Sequence, residues 1–258
     1  IVIAGNIGAG KTTLVEILSN RLGFAPFYEP HEENPYLADF YEDMESWSFH
    51  SQVYFLTRRL KIHKELLLAE GSVVQDRSVY EDAEIFARNL FLQGDFSTRD
   101  YGVYQDLYHI LASLLPPPNL MVYLRASVDT LMQRIAKRGR EYEAGISREY
   151  LARLNNLYED WMNAFDQCPV LIINSDDLDL VSRPEHVDQV VRWVQNKLTG
   201  RTEVRKDSLG RHLSLHADLP VARFGRGRPG GRTHDRLGGV RAGAVRDARA
   251  PQRHALAH

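Results

Sequence analysis

Near the start of the chain, GNIGAGKT (Gly5 to Thr12) has the spacing G-x-x-x-x-G-K-[ST] and follows a short apolar run. Glycines 5, 8 and 10 let the main chain wrap close around phosphate oxygens, with amide groups and a helix N-terminus supplying partial positive charge. Lys11 would reach the β- and γ-phosphates and the Thr12 hydroxyl would hold Mg²⁺. The alternative, a glycine-rich turn that merely contains Lys-Thr, fits the apolar run, loop and helical pattern less well. On this reading Gly5, Asn6, Ile7, Gly8, Ala9, Gly10, Lys11, Thr12 and Thr13 bind ATP. They say nothing of the group that receives the phosphate.

Other charged residues narrow the reaction. Glu29 ends the run FAPFYE and is followed by Pro30, which stops a strand from continuing. A carboxylate there could take the proton from an attacking hydroxyl, or be an exposed strand-end acid. Asp76 and Arg77 follow the apolar SVVQ run. An acid at that place suits completion of Mg²⁺ coordination. Arg134 and Arg138 share a helix face and Arg140 follows Gly139. Either they form a solvated basic face, or they are a lid that meets the charge developing on a transferring phosphoryl group. In the long helical pattern near residues 45–69, Gln52, Phe55 and Arg59 fall on one face, with Arg58 and Lys61 off it and solvated. Asp82 and Phe86 form an i, i+4 pair. Gln, Arg, Asp and an aromatic ring would suit a planar heterocycle, although on spacing alone helix capping by Asp82 and core packing by Phe86 are the favoured account of that pair.

The elements that must position these residues follow from periodicity. Runs at 1–5, 24–29, 72–76, 120–125 and 170–175 read as strands covered on both faces. Helical patterns fall near 12–22, 45–69, 79–92, 100–114, 127–138, 147–165 and 184–198. The fold class is therefore α/β, a five-stranded parallel sheet covered by helices on both faces, with ligands at the carboxyl ends of the strands.

Composition sets the outer limits. The chain has 258 residues, 43% of them hydrophobic, a net charge of −2 and one cysteine, Cys168. That excludes a disulfide framework and fits a reducing compartment. No apolar run approaches a membrane span, and IVIAG is too short and uncharged for a signal peptide, so a cytoplasmic protein is expected. The chain opens inside a strand without a Met, so a few native residues are expected to precede it. Residues 201–258 carry 13 Lys+Arg against 5 Asp+Glu (+8), which leaves 19 against 29 (−10) for residues 1–200. This tail has 8 of the 18 glycines and a single aromatic residue, Phe224, too little to form a core. We place a domain boundary near Gly200, with 1–200 the catalytic domain. The basic Arg/Gly-rich tail reads as disordered or non-native sequence rather than a nucleic-acid contact.

The motifs GNIGAGKTT, FYEP, NPYLADFYEDMESWSFHSQVYFLTRR, QDRSVYEDAEIFA and RIAKRGREYE, in this order, resemble those of deoxynucleoside kinases, most of all the bacterial deoxyadenosine/deoxycytidine kinases. The resemblance spans 1–200. It implies a P-loop fold of the nucleoside/nucleotide kinase type with an Arg-rich lid, ATP with Mg²⁺ as donor, and a homodimer packed through helices. It makes Glu29 the base that activates the nucleoside 5′-hydroxyl. Arg77 then holds that hydroxyl and the incoming phosphoryl group, and Thr12 and Asp76 place the metal. Tyr41 and Glu143 match residues that bind the sugar 3′-hydroxyl. Gln52, Arg59 and Asp82 match the readers of the base edge, and Phe86 the stacking ring. Arg134, Arg138 and Arg140 match the lid. The Arg59/Asp82 pair, absent from thymidine-preferring relatives, favours deoxyadenosine or deoxycytidine, with deoxyguanosine as a further candidate. One departure is that an aromatic residue many eukaryotic members carry after the catalytic Glu is missing, with Asn34 near its place.

The expected activity is thus ATP-dependent 5′-phosphorylation of deoxynucleosides in nucleotide salvage, with no membrane or nucleic-acid partner. Two alternatives stand beside it. A nucleoside monophosphate kinase of thymidylate kinase type would need a further cationic site, and Glu29 would repel the acceptor's phosphate. A P-loop nucleotide switch that binds nucleic acid would use the basic tail.

Overall fold

The computed structural model describes residues 1–28, 34–140, 143 and 145–200, and the backbone of 205–206 and 212–213. Ile1–Leu213 form one compact unit. Its centre is a five-stranded parallel sheet of order β2-β3-β1-β4-β5. The strands are β1 (Val2–Gly5), β2 (Ala25–Phe27), β3 (Val73–Asp76), β4 (Met121–Arg125) and β5 (Val170–Asn174). All five expected strands form, as does the parallel arrangement. Backbone pairing is also seen between Arg205–Lys206 and His212–Leu213, which are antiparallel.

β1 lies between β3 and β4, with Ile3 opposite Asp76 and Gly5 opposite Leu124. Its side chains alternate between two apolar layers, as strand geometry requires. Ile3 packs with Leu14, Leu18, Val74, Val122 and Val194 on one face. Val2 and Ala4 pack with Met121, Tyr123, Leu154, Tyr158 and Trp161 on the other. The first layer is roofed by α1 (Lys11–Leu22), α7 (Val128–Arg138) and α9 (Pro184–Leu198), the second by α8 (Arg148–Ala164).

A third apolar cluster joins α3 (Met44–Leu68) and α6 (Thr98–Ser113) to the segment after β3, through Leu56, Ala83, Ala87, Leu90, Tyr104 and Tyr108. This region departs from expectation in two ways. A short helix, α2 (Leu37–Glu42), precedes α3. Only Phe40 of α2 is buried, too little periodicity to mark a helix in sequence. Asp43 separates the two helices and caps α3, its carboxylate accepting from the Ser46 amide at 3.2 Å. The expected single helix over 79–92 is three pieces: α4 (Val79–Glu81), a π-helical segment (Asp82–Ala87) and α5 (Arg88–Gln93). Such i→i+5 turns often re-aim side chains at functional sites, and this one carries Asp82 and Phe86.

Candidate active site

The phosphate loop has the backbone that its glycines allow. Gly5 has φ +151°, and a Cβ there would stand 2.8 Å from the Leu124 carbonyl oxygen. Gly8 has φ +84°, and a methyl group there would stand 3.0–3.1 Å from Ile135 and the Leu131 carbonyl. Neither position can take a side chain without moving its neighbours. Asn6 fastens the loop to α8 and stiffens it: its amide nitrogen donates to the Leu151 carbonyl (3.0 Å) and to Asn155 Oδ1 (2.7 Å), while its Oδ1 accepts from the Ile7 amide (2.7 Å). Lys11, at the start of α1, is buried and donates to the Asn6 carbonyl at 3.1 Å.

The end of β3 supplies the next groups. Thr12 Oγ1 donates to Asp76 Oδ2 at 2.6 Å, and Asp76 Oδ1 is buried with no hydrogen-bond partner among the described residues. One hydroxyl and one carboxylate with a spare oxygen fit a hard cation that completes its shell with water and phosphate oxygens, as Mg²⁺ does. Among the described residues no cluster of three His, Cys, Asp or Glu side chains could cage a metal by itself. Arg77, next in sequence, has φ +66° and donates its amide to the Ile3 carbonyl at 3.0 Å. Its guanidinium lies over the Phe86 ring at 4.4 Å, so Phe86 has a cation on one face.

Arg59 and Asp82 form a buried two-pronged pair, Nε to Oδ2 at 3.0 Å and Nη2 to Oδ1 at 3.2 Å, and Arg59 Nη1 also reaches the Asp76 carbonyl at 3.2 Å. Asp82 is therefore an ion-pair partner, and it is Glu81 whose carboxylate accepts the Ser78 amide at the helix start, at 3.1 Å. Lys61 is exposed, as expected, but Arg58 is partly buried, against the expectation that both are solvated.

One cavity of about 670 Å³ joins these pieces. Its walls include the loop from Ile7 to Thr13, Arg77, Gln52, Phe55, Asp82 and Phe86, and Tyr41. Arg59 is not part of the wall; it stands behind Asp82 and holds it. Asn34 is also buried away from the cavity, donating to Ser51 Oγ at 3.1 Å. Glu29 lies outside the described residues.

The basic segment contributes Arg134, Arg138, Arg140 and Glu143 to the same walls. Arg138 donates to both oxygens of Glu143, from Nη2 to Oε1 at 2.6 Å and to Oε2 at 2.7 Å and from Nε to Oε2 at 3.1 Å, and Arg140 lies 3.7 Å from Glu143 Oε1. Arg134 differs from its two companions. It donates to the carbonyls of Ala9 (3.1 Å), Ser175 (2.6 Å) and Leu178 (3.3 Å), tying the phosphate loop to the turn after β5. That turn closes the cavity with Ser175 and Leu178–Ser182.

Three residues near the site escape the sequence reading. Tyr150 lines the cavity, and burial raises its hydroxyl pKa. Glu81 and Tyr158 meet beneath the loop, where Tyr158 Oη is 2.7 Å from Glu81 Oε1 and the Gly5 amide donates to that same oxygen at 3.2 Å. Burial pushes the Glu81 carboxyl above its ordinary range, against the opposing pull of Arg77 and Lys11. The i, i+4, i+8 spacing of Tyr150, Leu154 and Tyr158 marks one face of α8 and was the available signal for the tyrosines. Glu81 carries the S-x-x-E signature with Ser78, which reads as local capping alone.

The chain and its fold are similar to those of known proteins. The sequence model of the family described as deoxynucleoside kinase matches residues 1–199. A deoxyadenosine/deoxycytidine kinase of Bacillus subtilis is 40% identical over 193 residues, 74% of this chain and 89% of that protein. A deoxyguanosine kinase of Lactobacillus johnsonii is 38% identical over 207 residues, 77% of this chain and 92% of its own length. Among solved structures, deoxyadenosine kinase from M. mycoides with bound dATP superposes with a TM-score of 0.66 at 35% identity, covering 77% of this chain and 98% of that one.

Proposed function

Because the chain belongs to the deoxynucleoside kinase family, and so is a phosphotransferase acting on deoxynucleosides, we propose that it moves the γ-phosphoryl group of ATP to the 5′-hydroxyl of deoxyadenosine or deoxycytidine. Deoxyguanosine is a further candidate acceptor. The observation that carries this reading is the single cavity whose walls hold both the phosphate loop and the Gln52/Asp82/Phe86 group. Relatives named as kinases of deoxynucleosides weigh against the thymidylate kinase alternative.

In this reading Lys11 and the loop amides hold the donor phosphates, and the Thr12 hydroxyl and Asp76 carboxylate hold Mg²⁺. The ion supplies neutralisation of charge on the phosphate oxygens. Glu29 takes the proton from the 5′-hydroxyl as Arg77 steadies the oxygen and the arriving phosphoryl group. Arg138 and Arg140 face the developing charge, and Arg134 fixes the wall behind them. Tyr41 and Glu143 bind the 3′-hydroxyl. Gln52 and Asp82 read the base edge, with Arg59 holding Asp82 in place, and Phe86 on the cavity wall stacks with the ring. The turn after β5 takes the adenine of ATP. The protein mostly positions the reactants and neutralises charge.

Three further parts belong to this proposal. The catalytic domain ends near Gly200, which the end of the family match at residue 199 supports, and the basic tail has no part in catalysis. The enzyme serves nucleotide salvage in the cytoplasm; among the described residues no helix is long and apolar enough to cross a membrane. It works as a homodimer, supported by the exposed apolar stripe of Val103, Leu107 and Ile110 on α6 with Leu114 just past its end. Light scattering of the purified chain should give twice the monomer mass, and a monomer would remove the dimer. The activity itself is tested by incubating the chain with ATP, Mg²⁺ and each deoxynucleoside. Formation of dAMP and dCMP is expected, and consumption of ATP without any deoxynucleoside monophosphate would contradict the assignment.

A further inference from the structure

Glu81 is fully buried and has no place on the cavity wall, yet its carboxylate is bound from several directions. Oε1 accepts from the Gly5 amide (3.2 Å) and lies 2.7 Å from the Tyr158 hydroxyl, while Oε2 accepts from the Ser78 amide (3.1 Å). Arg77 Nη1 is 3.7 Å from Oε1 and donates to the Tyr158 oxygen at 3.1 Å. Tyr158 also approaches the Gly5 carbonyl at 2.9 Å. The phenol has one proton to give, and the shorter approach is to Glu81. Gly5, Arg77, Glu81 and Tyr158 therefore share one buried hydrogen-bonded frame, assembled from β1, the end of β3, α4 and α8.

A helix cap alone does not account for this frame. Capping needs only the local contact with Ser78, and a short polar side chain satisfies it at the surface. A fully buried carboxylate is retained at a cost unless its partners compensate. Here those partners are the first residue of the phosphate loop and the guanidinium assigned to the phosphoryl group. Arg77 also holds the one left-handed non-glycine backbone among the described residues, a conformation that persists only where its surroundings enforce it. The contacts that enforce it include the Ile3 carbonyl at its amide, the Phe86 ring under its guanidinium, and Tyr158 with Glu81 at its Nη1.

We propose that Glu81, acting with Tyr158, is a positioning residue for phosphoryl transfer: it locks Arg77 to Gly5, so that the arginine and the donor phosphates keep one fixed separation. The proposal rests on the kinase reading above and on the role that reading gives Arg77. In-line transfer requires both reactants to be held in near-attack geometry, and misplacement by about 1 Å costs on the order of 10²-fold in rate. Loss of the frame should therefore appear in turnover and leave substrate affinity nearly intact.

The test uses the full chain, ATP with Mg²⁺ and deoxyadenosine, comparing wild type with Tyr158→Phe, Glu81→Gln, Glu81→Ala and the Tyr158→Phe/Glu81→Ala pair. Thermal unfolding of each variant is recorded alongside. Glu81→Ala should lower kcat by about 10- to 100-fold, with KM for both substrates within roughly threefold of wild type. Glu81→Gln, which keeps one acceptor oxygen, should recover part of that loss. Tyr158→Phe should lower kcat by about tenfold, and the pair should fall no further than Glu81→Ala alone, since both act through one frame. If Glu81→Ala does not fold, Tyr158→Phe and Glu81→Gln decide the matter. Folded forms of these two with wild-type kcat, or with losses confined to KM, would overturn the proposal. A wild-type chain that binds ATP but phosphorylates no deoxynucleoside would remove the kinase reading and this proposal together; an active wild type with unaffected variants would remove only the role of Glu81.

Discussion

The phosphate loop, Gly5 to Thr12, is shaped by glycines whose φ values of +151°, +84° and +98° side chains rarely adopt, and from Ile7 onward it forms one wall of the cavity with main-chain amides to offer. Across the cavity, at Gln52, Phe55, Asp82 and Phe86, the wall is side chains projecting from α3 and the π-helical segment. A wall of amides recognises phosphate oxygens whatever they are attached to, because every residue presents the same donor. A wall of side chains recognises one heterocycle over another and can be rewritten one residue at a time. Substitutions at the first wall should therefore alter rate for all acceptors alike, and those at the second should alter choice among acceptors.

The largest expected effect is at the phosphate wall. Lys11→Met should lower kcat by about 10²–10³-fold with every deoxynucleoside, the scale for removing one charge-stabilising donor. A loss confined to one nucleoside in steady-state assays would break the comparison. Next is Glu29→Gln, which should leave nucleoside binding nearly intact and lower turnover by about 10²-fold. Calorimetric titration with deoxyadenosine beside a rate measurement separates the two, and unchanged turnover would take Glu29 out of the mechanism.

At the opposite wall, Asp82→Ala alone removes the carboxylate from a buried pair. It should cost about 3–5 kcal/mol of stability, read by thermal or denaturant unfolding, because the Arg59 guanidinium stays behind in the interior. Arg59→Met with Asp82→Ala together should regain much of that stability and shift preference towards thymidine. Retained preference for deoxyadenosine and deoxycytidine in competition assays would show that the base is read elsewhere. The smallest effect belongs to the tail: deletion of residues 201–258 should leave kcat/KM unchanged, and salt-sensitive DNA or RNA binding by the full chain that disappears in that variant would give the tail a role of its own.

The same division decides what the sequence reveals. The phosphate wall is dictated by residues adjacent in the chain, so GNIGAGKT, the strands and the Asp76–Arg77 step could be located by pattern, and Thr12 and Asp76 do meet, at 2.6 Å. The side-chain wall is dictated by packing between distant elements. Helical spacing put Gln52, Phe55 and Arg59 on one face, but could not show that Arg59 lies behind Asp82 and off the cavity wall. The three arginines of the basic segment look equivalent in sequence, whereas Arg134 spends its donors on the carbonyls of Ala9, Ser175 and Leu178. A π-helical turn has no composition of its own, so the break at Asp82–Ala87 was not legible. Glu81 was hidden differently: its capping spacing with Ser78 gave it a sufficient local explanation, and its distant partners, Gly5 and Tyr158, appear only when β1, α4 and α8 come together.

The central claim is that one cavity brings ATP and a deoxynucleoside together for 5′-phosphorylation. Steady-state phosphorylation of the four deoxynucleosides by the purified chain, each at one concentration with ATP and Mg²⁺, tests it most directly. The account predicts deoxyadenosine 5′-monophosphate and deoxycytidine 5′-monophosphate as the main products and little from thymidine. Thymidine as the preferred acceptor would contradict the reading of Arg59 and Asp82, and no product from any of the four would contradict the whole account.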